Sequence, residues 1–286
     1  NIIHSQGLRA DWHNSKLDSH YSRVSTQRND PFVDYRMLYG RLSGSLLANL
    51  HVKSLKLIPN VFTCSRTLSE TNLKYNLCTN YIRNGIEYDP INSAPSLNEK
   101  ITQRELLDLP TDSKLFVWVG PFIDRKSPQT TIRAFLNIQN TCNYYVCLLG
   151  NGPLYKECRA LAGHSSKIIF RGNVANVPDY LQSADGFISS SVSEGMPNSV
   201  LESLAYSTPV ILSDISAHQE ILALSKYAGR TYKTGDVQQL IEAIETLDTS
   251  ELAASAARKL IETSLNAQVM SKSYQDFYQT LVGMKQ

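Results

Sequence analysis

Two carboxylates eight positions apart, Glu194 and Glu202, bracket a stretch able to hold an anion and the hydroxyls beside it. The run 186–188 is short and apolar, as a buried parallel strand requires. Gly195 lets backbone approach a ligand with no Cβ in the way. Pro197 suits a first helical position, and Val200, Leu201, Leu204 and Ala205 then supply one apolar helix face. At about 100° per residue, Glu202 stands well off that face. A helix N-terminus after a parallel strand offers free N–H groups and partial positive charge to a diphosphate. The carboxylates would repel phosphate but accept hydrogen bonds from neutral diols of a sugar or ribose, and charge-assisted bonds are roughly twice as strong as neutral ones. On spacing alone, a loop carboxylate and a solvated helix position explain the pair equally well.

The elements around this stretch alternate. Over 113–262, strands are predicted at 115–119, 145–149, 168–170, 186–189, 210–212 and 230–232, with helices at about 128–139, 154–162, 177–182, 198–206, 218–224 and 237–247. Such spacing implies a parallel, doubly wound sheet, whose ligands sit beyond the C-terminal strand ends. Gly120, Gly150 with Gly152, Gly172 and Gly195 all fall there. Residues 1–87 alternate in the same way: strands at 2–5, 23–26, 60–65 and 81–84, helices at 8–17 and 66–75, and one long helix over 37–57. The long helix places Leu38, Leu42, Leu46, Leu47, Leu50 and Leu57 at near-helical spacing, beside Arg41, His51, Lys53 and Lys56. A core helix with a solvated face fits this pattern, and so does a helix on an anionic bilayer surface. Pro90, Pro95 and Pro110 mark 88–112 as a linker with a short helix at 97–107 inside it. A last helix over 267–284 carries Val269, Tyr274, Phe277, Tyr278 and Leu281.

At 286 residues and 42% hydrophobic content, the chain is long enough for one and a half to two domains. A net charge of +2 makes no case for nucleic acid, and no apolar run approaches the roughly 20 residues of a membrane span. Cys64, Cys78, Cys142, Cys147 and Cys158 show no CxxC spacing and read as reduced packing residues of a cytoplasmic protein. No Asp-x-Asp and no His or Cys cluster offers a metal site, so no metal or other cofactor is expected. Asn1 leads directly into a strand, so the sequence reads as a fragment whose first domain is incomplete. Alone, it is expected to bind nucleotide weakly and not to catalyse.

The run Glu194-Gly-Met-Pro-Asn-Ser-Val-Leu-Glu202, continuing to Pro209-Val210-Ile211, resembles the Glu-x7-Glu segment of retaining family-four (group 1) glycosyltransferases. The resemblance implies an α/β, GT-B-like chain of two Rossmann-type doubly wound parallel-sheet domains. It divides the chain into a partial acceptor-side domain at 1–87, a linker at 88–112 and a nucleotide-sugar-binding domain at 113–262. A C-terminal helix at 263–286 would either cross back to the first domain or pack on its own. It also implies that Glu194 meets the donor sugar's hydroxyls, that Glu202 holds the ribose diol, and that the segment Gly195, Met196, Pro197 and Asn198 holds sugar and diphosphate.

Other segments agree. Val119-Gly120-Pro121 to Lys126 resembles a Gly-Arg-Leu-x3-Lys loop, in which Lys126 meets the distal phosphate. The family's Arg is Pro121 here, and Arg125 is the candidate second cation. Fixed cations stabilise a departing diphosphate more than the ground state. Gly150-Asn151-Gly152-Pro153 matches a Gly-x-Gly-Pro loop, and Arg171-Gly172-Asn173-Val174 resembles the strand end that borders the nucleotide base, which implies that place for Asn173 and Val174. Ile3-His4-Ser5-Gln6-Gly7 and Ser25-Thr26-Gln27-Arg28-Asn29 resemble His-x-His-Gly and Thr-x-His-Asn segments, with Gln6 and Arg28 replacing donor-facing histidines. Asn84-Gly85-Ile86-Glu87 resembles the lead into the hinge.

The implied function is metal-independent transfer of a sugar from a nucleotide diphosphate to a hydroxyl acceptor, a saccharide or lipid-linked saccharide. The implied setting is bacterial polysaccharide or lipopolysaccharide assembly in the cytoplasm, at the inner membrane face. The alternatives are a nucleotide-sugar epimerase or phosphorylase on the same fold, and a nucleotide-sugar-binding subunit without catalysis.

Overall fold

The computed structural model describes residues 1–88, 94–138 and 143–283. Expectations at Pro90 and Cys142 lie outside them. Two compact units divide the chain: Asn1–Gly85 with Ser193–Pro197 and Leu265–Gln286, and Ile86–Val192 with Asn198–Ser264.

The first unit runs β1 (Ile2–Ser5), α1 (Leu8–Asn14), β2 (Ser22–Gln27), α2 (Pro31–Tyr39), α3 (Arg41–Lys56), β3 (Asn60–Thr63), α4 (Arg66–Asn72) and β4 (Asn80–Tyr81). Its sheet has the order β1-β2-β3-β4, all parallel. The single long helix expected over 37–57 is two helices. Gly40, at φ 78°, breaks it, and Asp30 caps the first helix by accepting the Phe32 N–H. The two helices cross closely: a Cβ on Gly44 would lie 2.2 Å from the Tyr35 carbonyl oxygen.

Of the two readings open for the leucines, their burial in a core does not hold. Leu38, Leu42, Leu46, Leu50 and Leu57 are exposed, Leu42 to 88%. The buried face of α3 is instead Ala48, Val52 and Leu55 with Gly44, His51 and Ser54. Small residues let α3 lie close to its neighbours, and the large leucines are left on the outer face.

The second unit opens with α5 (Leu97–Leu106), so the described part of the expected linker from residue 94 folds with it. A capping box between Ser96 and Glu99 starts the helix. Arg104, 2% exposed, anchors it through Asp185 Oδ2 and the carbonyls of Ser183 and Ser113, each at 2.8 Å. There follow β5 (Lys114–Val119), α6 (Pro128–Asn137), β6 (Tyr144–Leu149), α7 (Tyr155–Ala162), β7 (Ile168–Gly172), α8 (Val177–Ser183) and β8 (Gly186–Ser189). Then come α9 (Asn198–Ala205), β9 (Val210–Ser213), α10 (Ser216–Leu224), β10 (Gly229–Tyr232), α11 (Val237–Glu245) and α12 (Glu251–Thr263). The sheet is parallel, in the order β10-β9-β8-β5-β6-β7. Its core joins Phe116, Trp118, Phe122, Phe135, Leu148 and Ile188 across the sheet and its covering helices. Each such side chain, fully buried, contributes roughly 1.5–3 kcal/mol.

The last helix, α13 (Ala267–Gly283), belongs to the first unit. Phe277 meets Phe62 edge-on with centroids 4.6 Å apart. Tyr274 Oη and His4 Nε2 each lie 2.8 Å from Thr26 Oγ1, and Tyr278 bonds His4 Nδ1. Cys64, Cys147 and Cys158 are buried as expected of packing residues, but Cys78 is exposed. Burial pushes the Cys147 thiol up to about 12 and the Cys158 thiol up to about 11. Among the described residues, no helix is long and apolar enough to cross a membrane.

Candidate functional site

In the second unit's sheet, the direction of winding reverses between β5 and β8. At such a switch point the flanking loops part and leave a crevice at the C-terminal strand ends. The loops leaving β5 and β8 are the two that carry Lys126 and the stretch before Glu202.

Ser190, just past β8 and 1% exposed, ties these loops together. Its hydroxyl lies 2.9 Å from the carbonyls of both Lys126 and Ser127, and it accepts from Trp118 Nε1 at 3.2 Å and Thr131 Oγ1 at 3.1 Å. Val192 N–H donates to the Arg125 carbonyl at 2.8 Å. The backbone at Arg125 and Lys126 is thus held by the neighbouring loop. Sequence reasoning missed Ser190. Its only signal was the run of three serines at a strand end.

Glycines allow the adjoining loops to close up. A Cβ on Gly150 would lie 2.0 Å from the Gly120 carbonyl oxygen, and one on Gly152 would lie 2.6 Å from that of Phe122. The Gly150 N–H reaches the Gly172 carbonyl at 2.7 Å, bringing the β7 end, with exposed Asn173 and half-buried Val174, beside the β6 loop. Next to Gly120 the space is open enough that a Cβ would meet the Lys126 stem at 3.5 Å, an ordinary contact.

Glu202 is half-buried on α9. Burial raises its carboxyl above the ordinary carboxylate value, and the charge of Lys126 pulls it back down. The two side chains therefore share one field. Helix α9 begins at exposed Asn198, so Pro197 precedes the helix by one residue rather than opening it.

Ser193–Pro197 groups with the first unit, and Glu194 with it. Gly195, Met196 and Pro197 are buried, and Glu194 is half-buried. A Cβ on Gly195 would lie 1.7 Å from the Arg28 carbonyl oxygen and 2.7 Å from Cys64 Sγ, so only glycine fits. The Gly195 N–H donates to Asn29 Oδ1 at 3.1 Å, and Asn84 Nδ2 donates to the Met196 carbonyl at 3.1 Å. Arg28 in turn donates to Asn84 Oδ1. Arg28 and the Gly195 loop therefore come together as neighbours, through two asparagines to which sequence reasoning gave no role in the site. Gln6 is exposed after β1 and lines a pocket with Arg28. Among the described residues no three His, Cys, Asp or Glu side chains group as metal ligands.

Residues 113–249 match the family model described as "Glycosyl transferases group 1". Over this stretch the chain is similar to group 1 glycosyltransferases. Over 203 residues the chain is 30% identical to the putative teichuronic acid biosynthesis glycosyltransferase TuaC of Bacillus subtilis, covering 69% of this chain and 49% of that protein. It is 27% identical over 185 residues to the lipopolysaccharide core biosynthesis glycosyltransferase LpsE of Rhizobium meliloti, covering 64% of this chain and 53% of that one. The chain thus spans about half the length of these curated relatives. Anabaena Alr3699/HepE, solved in complex with UDP, superposes with a TM-score of 0.81 at 15% identity, covering 98% of this chain and 79% of that one. The two parallel-sheet α/β units have the GT-B glycosyltransferase fold, the first sheet being the smaller.

Proposed function

We propose that this glycosyltransferase chain carries the donor site of a retaining, metal-independent enzyme of bacterial polysaccharide or lipopolysaccharide assembly. The observation that carries the reading is the meeting of the β5 and β8 loops at the switch point, where Ser190 holds the Lys126 backbone and α9 sets half-buried Glu202 within reach of the Lys126 charge. A nucleoside diphosphate needs both a cation and a hydroxyl acceptor. Lys126, with Arg125, takes the phosphates, and Glu202 takes the ribose diol. Asn173 and Val174 border the base, beside the loop of Gly150 and Gly152. Glu194, Gly195, Met196, Pro197 and Asn198 serve the sugar and diphosphate, with Gln6 and Arg28 toward the sugar.

In the transfer, the bond from the anomeric carbon to the phosphate oxygen breaks and a bond to the acceptor oxygen forms on the same face. The acceptor's proton passes to the leaving phosphate. Fixed cations favour this step because charge grows on the diphosphate as it departs.

We extend the proposal to the acceptor's setting. The exposed leucines of α3 stand with Arg41, Lys53 and Lys56 on a helix that has no acidic residue. An apolar face with only positive charge suits an anionic bilayer at the inner membrane face, where a lipid-linked saccharide would be met.

Calorimetric titration of UDP into the full-length protein tests the donor site. Glu202→Ala costs about 1.5–3 kcal/mol, a tenfold to hundredfold rise in Kd, by loss of a charged hydrogen bond. Unchanged affinity in this variant would remove Glu202 from the site and the reading with it.

A further inference from the structure

Two asparagines grip the Gly195 loop, and their partners fix which way each amide points. A backbone N–H only donates, so the Asn29 atom that meets the Gly195 N–H at 3.1 Å is its oxygen. A carbonyl only accepts, so the Asn84 atom that meets the Met196 carbonyl at 3.1 Å is its nitrogen. The Arg28 guanidinium, a donor alone, takes the Asn84 oxygen. Asn29 therefore serves the loop as an acceptor and Asn84 as a donor. The N–H that Asn29 holds belongs to the peptide bond formed by the carbonyl of Glu194, which is itself half-buried.

Both asparagines are held in turn. The Asn29 carbonyl accepts from Gln27 Nε2 at 2.9 Å, and Gln27 Oε1 accepts from Asn72 Nδ2 at 2.8 Å. Gln27 and Asn72 are buried, where hydrogen bonds gain strength from the low local dielectric. Asn84 is buried too, and its backbone N–H donates to the Cys64 carbonyl at 3.1 Å. The Cys64 thiol donates to the Arg28 carbonyl at 3.1 Å, the same oxygen that leaves no room for a Cβ on Gly195. Asn29, Asn84 and Glu194 all fold with the first unit, whereas Lys126 and Glu202 fold with the second.

We propose that Asn29 and Asn84 are positioning residues for Glu194, and that through it they set which donor sugar is preferred while leaving the nucleotide's affinity alone. This role rests on the donor site proposed above, in which Glu194 meets the sugar's hydroxyls. A carboxylate distinguishes one arrangement of hydroxyls from another only while its backbone is fixed, because hydrogen bonds weaken steeply away from good geometry.

Calorimetry on the full-length protein compares UDP with UDP-glucose, UDP-galactose and UDP-N-acetylglucosamine. Wild type binds UDP and prefers one sugar nucleotide over the others. N29A lowers that preference about fivefold, as the loss of one hydrogen bond does, with Kd for UDP unchanged. Exchange for aspartate separates positioning from packing. N29D keeps an oxygen for the Gly195 N–H and keeps the preference. N84D keeps an oxygen for Arg28 but sets another against the Met196 carbonyl, and loses it. Asn29 is half-buried, so N29A and N29D decide the matter by themselves where N84D does not fold. UDP binding by wild type with no preference among the sugars would overturn the proposal. So would a preference unmoved by N29A, or one lost equally in N29D. Wild type that binds neither UDP nor any of its sugars would instead sink the donor-site reading, and the positioning role with it.

Discussion

At the residue scale, the surroundings of Glu202 set its charge state. Half-burial raises its pKa, and the nearby Lys126 limits the rise. The folded protein thus takes up this proton more readily than the unfolded chain does. The sign follows: Glu202 disfavours the folded state above its raised pKa, and the penalty is relieved as pH falls through that value toward the unfolded one. Glu202→Gln removes the ionisation. Its melting temperature is expected to exceed wild type near neutral pH, with the gap closing as pH falls into the carboxylate range. Thermal melts across that range check it, and a constant gap would count against the burial argument. Ser190 illustrates the opposite kind of residue, one that touches no ligand in the proposed scheme yet fixes the backbone that does.

At the element scale, α2 and α3 decide what the first unit presents. Periodicity in the sequence located helical leucines but left open whether they face a core or an outer surface, and they lie outside. The choice of buried face went to Gly44, Ala48 and Ser54, because small residues permit the close crossing with α2. His51, grouped by sequence with the basic residues of an outer face, turns inward to Asp11. The outer leucines carry a prediction of their own. Replacing Leu42, Leu46 and Leu50 together by serine is expected to lower co-sedimentation with phosphatidylglycerol vesicles at least tenfold, since each leucine inserted contributes roughly 1.5–3 kcal/mol. Zwitterionic vesicles should bind wild type weakly. Equal binding of the triple variant and wild type would rule this face out as the contact.

At the scale of the whole molecule, each unit has its own parallel sheet and its own apolar core. Stability is therefore best followed unit by unit. Arg104 is the clearest lever in the second. It is buried with three oxygens around its guanidinium, and Arg104→Ala leaves Asp185, among the described residues, with Lys100, 3.8 Å away, as its ion-pair partner. Breaking a buried pair on one side costs about 3–5 kcal/mol. Calorimetric melting should show the transition of the second unit shifted down and that of the first unchanged. A shift of both by the same amount would contradict the division.

Strand-helix alternation, the glycines at strand ends and the Glu194 to Glu202 segment were all legible in the sequence. Local rules govern them: burial on both sheet faces demands apolar runs, and tight loop closure excludes a Cβ. The sequence could not show that the first of those glutamates folds with one unit and the second with the other. Nor could it show that α13, the last helix, packs on the first unit through Phe62, Thr26 and His4. Such pairings join residues far apart in the chain, and no periodicity records them. The contacts of His51 with Asp11 at 2.8 Å and with Tyr35 at 3.0 Å are of the same kind, since three separate helices must meet before these hydrogen bonds exist.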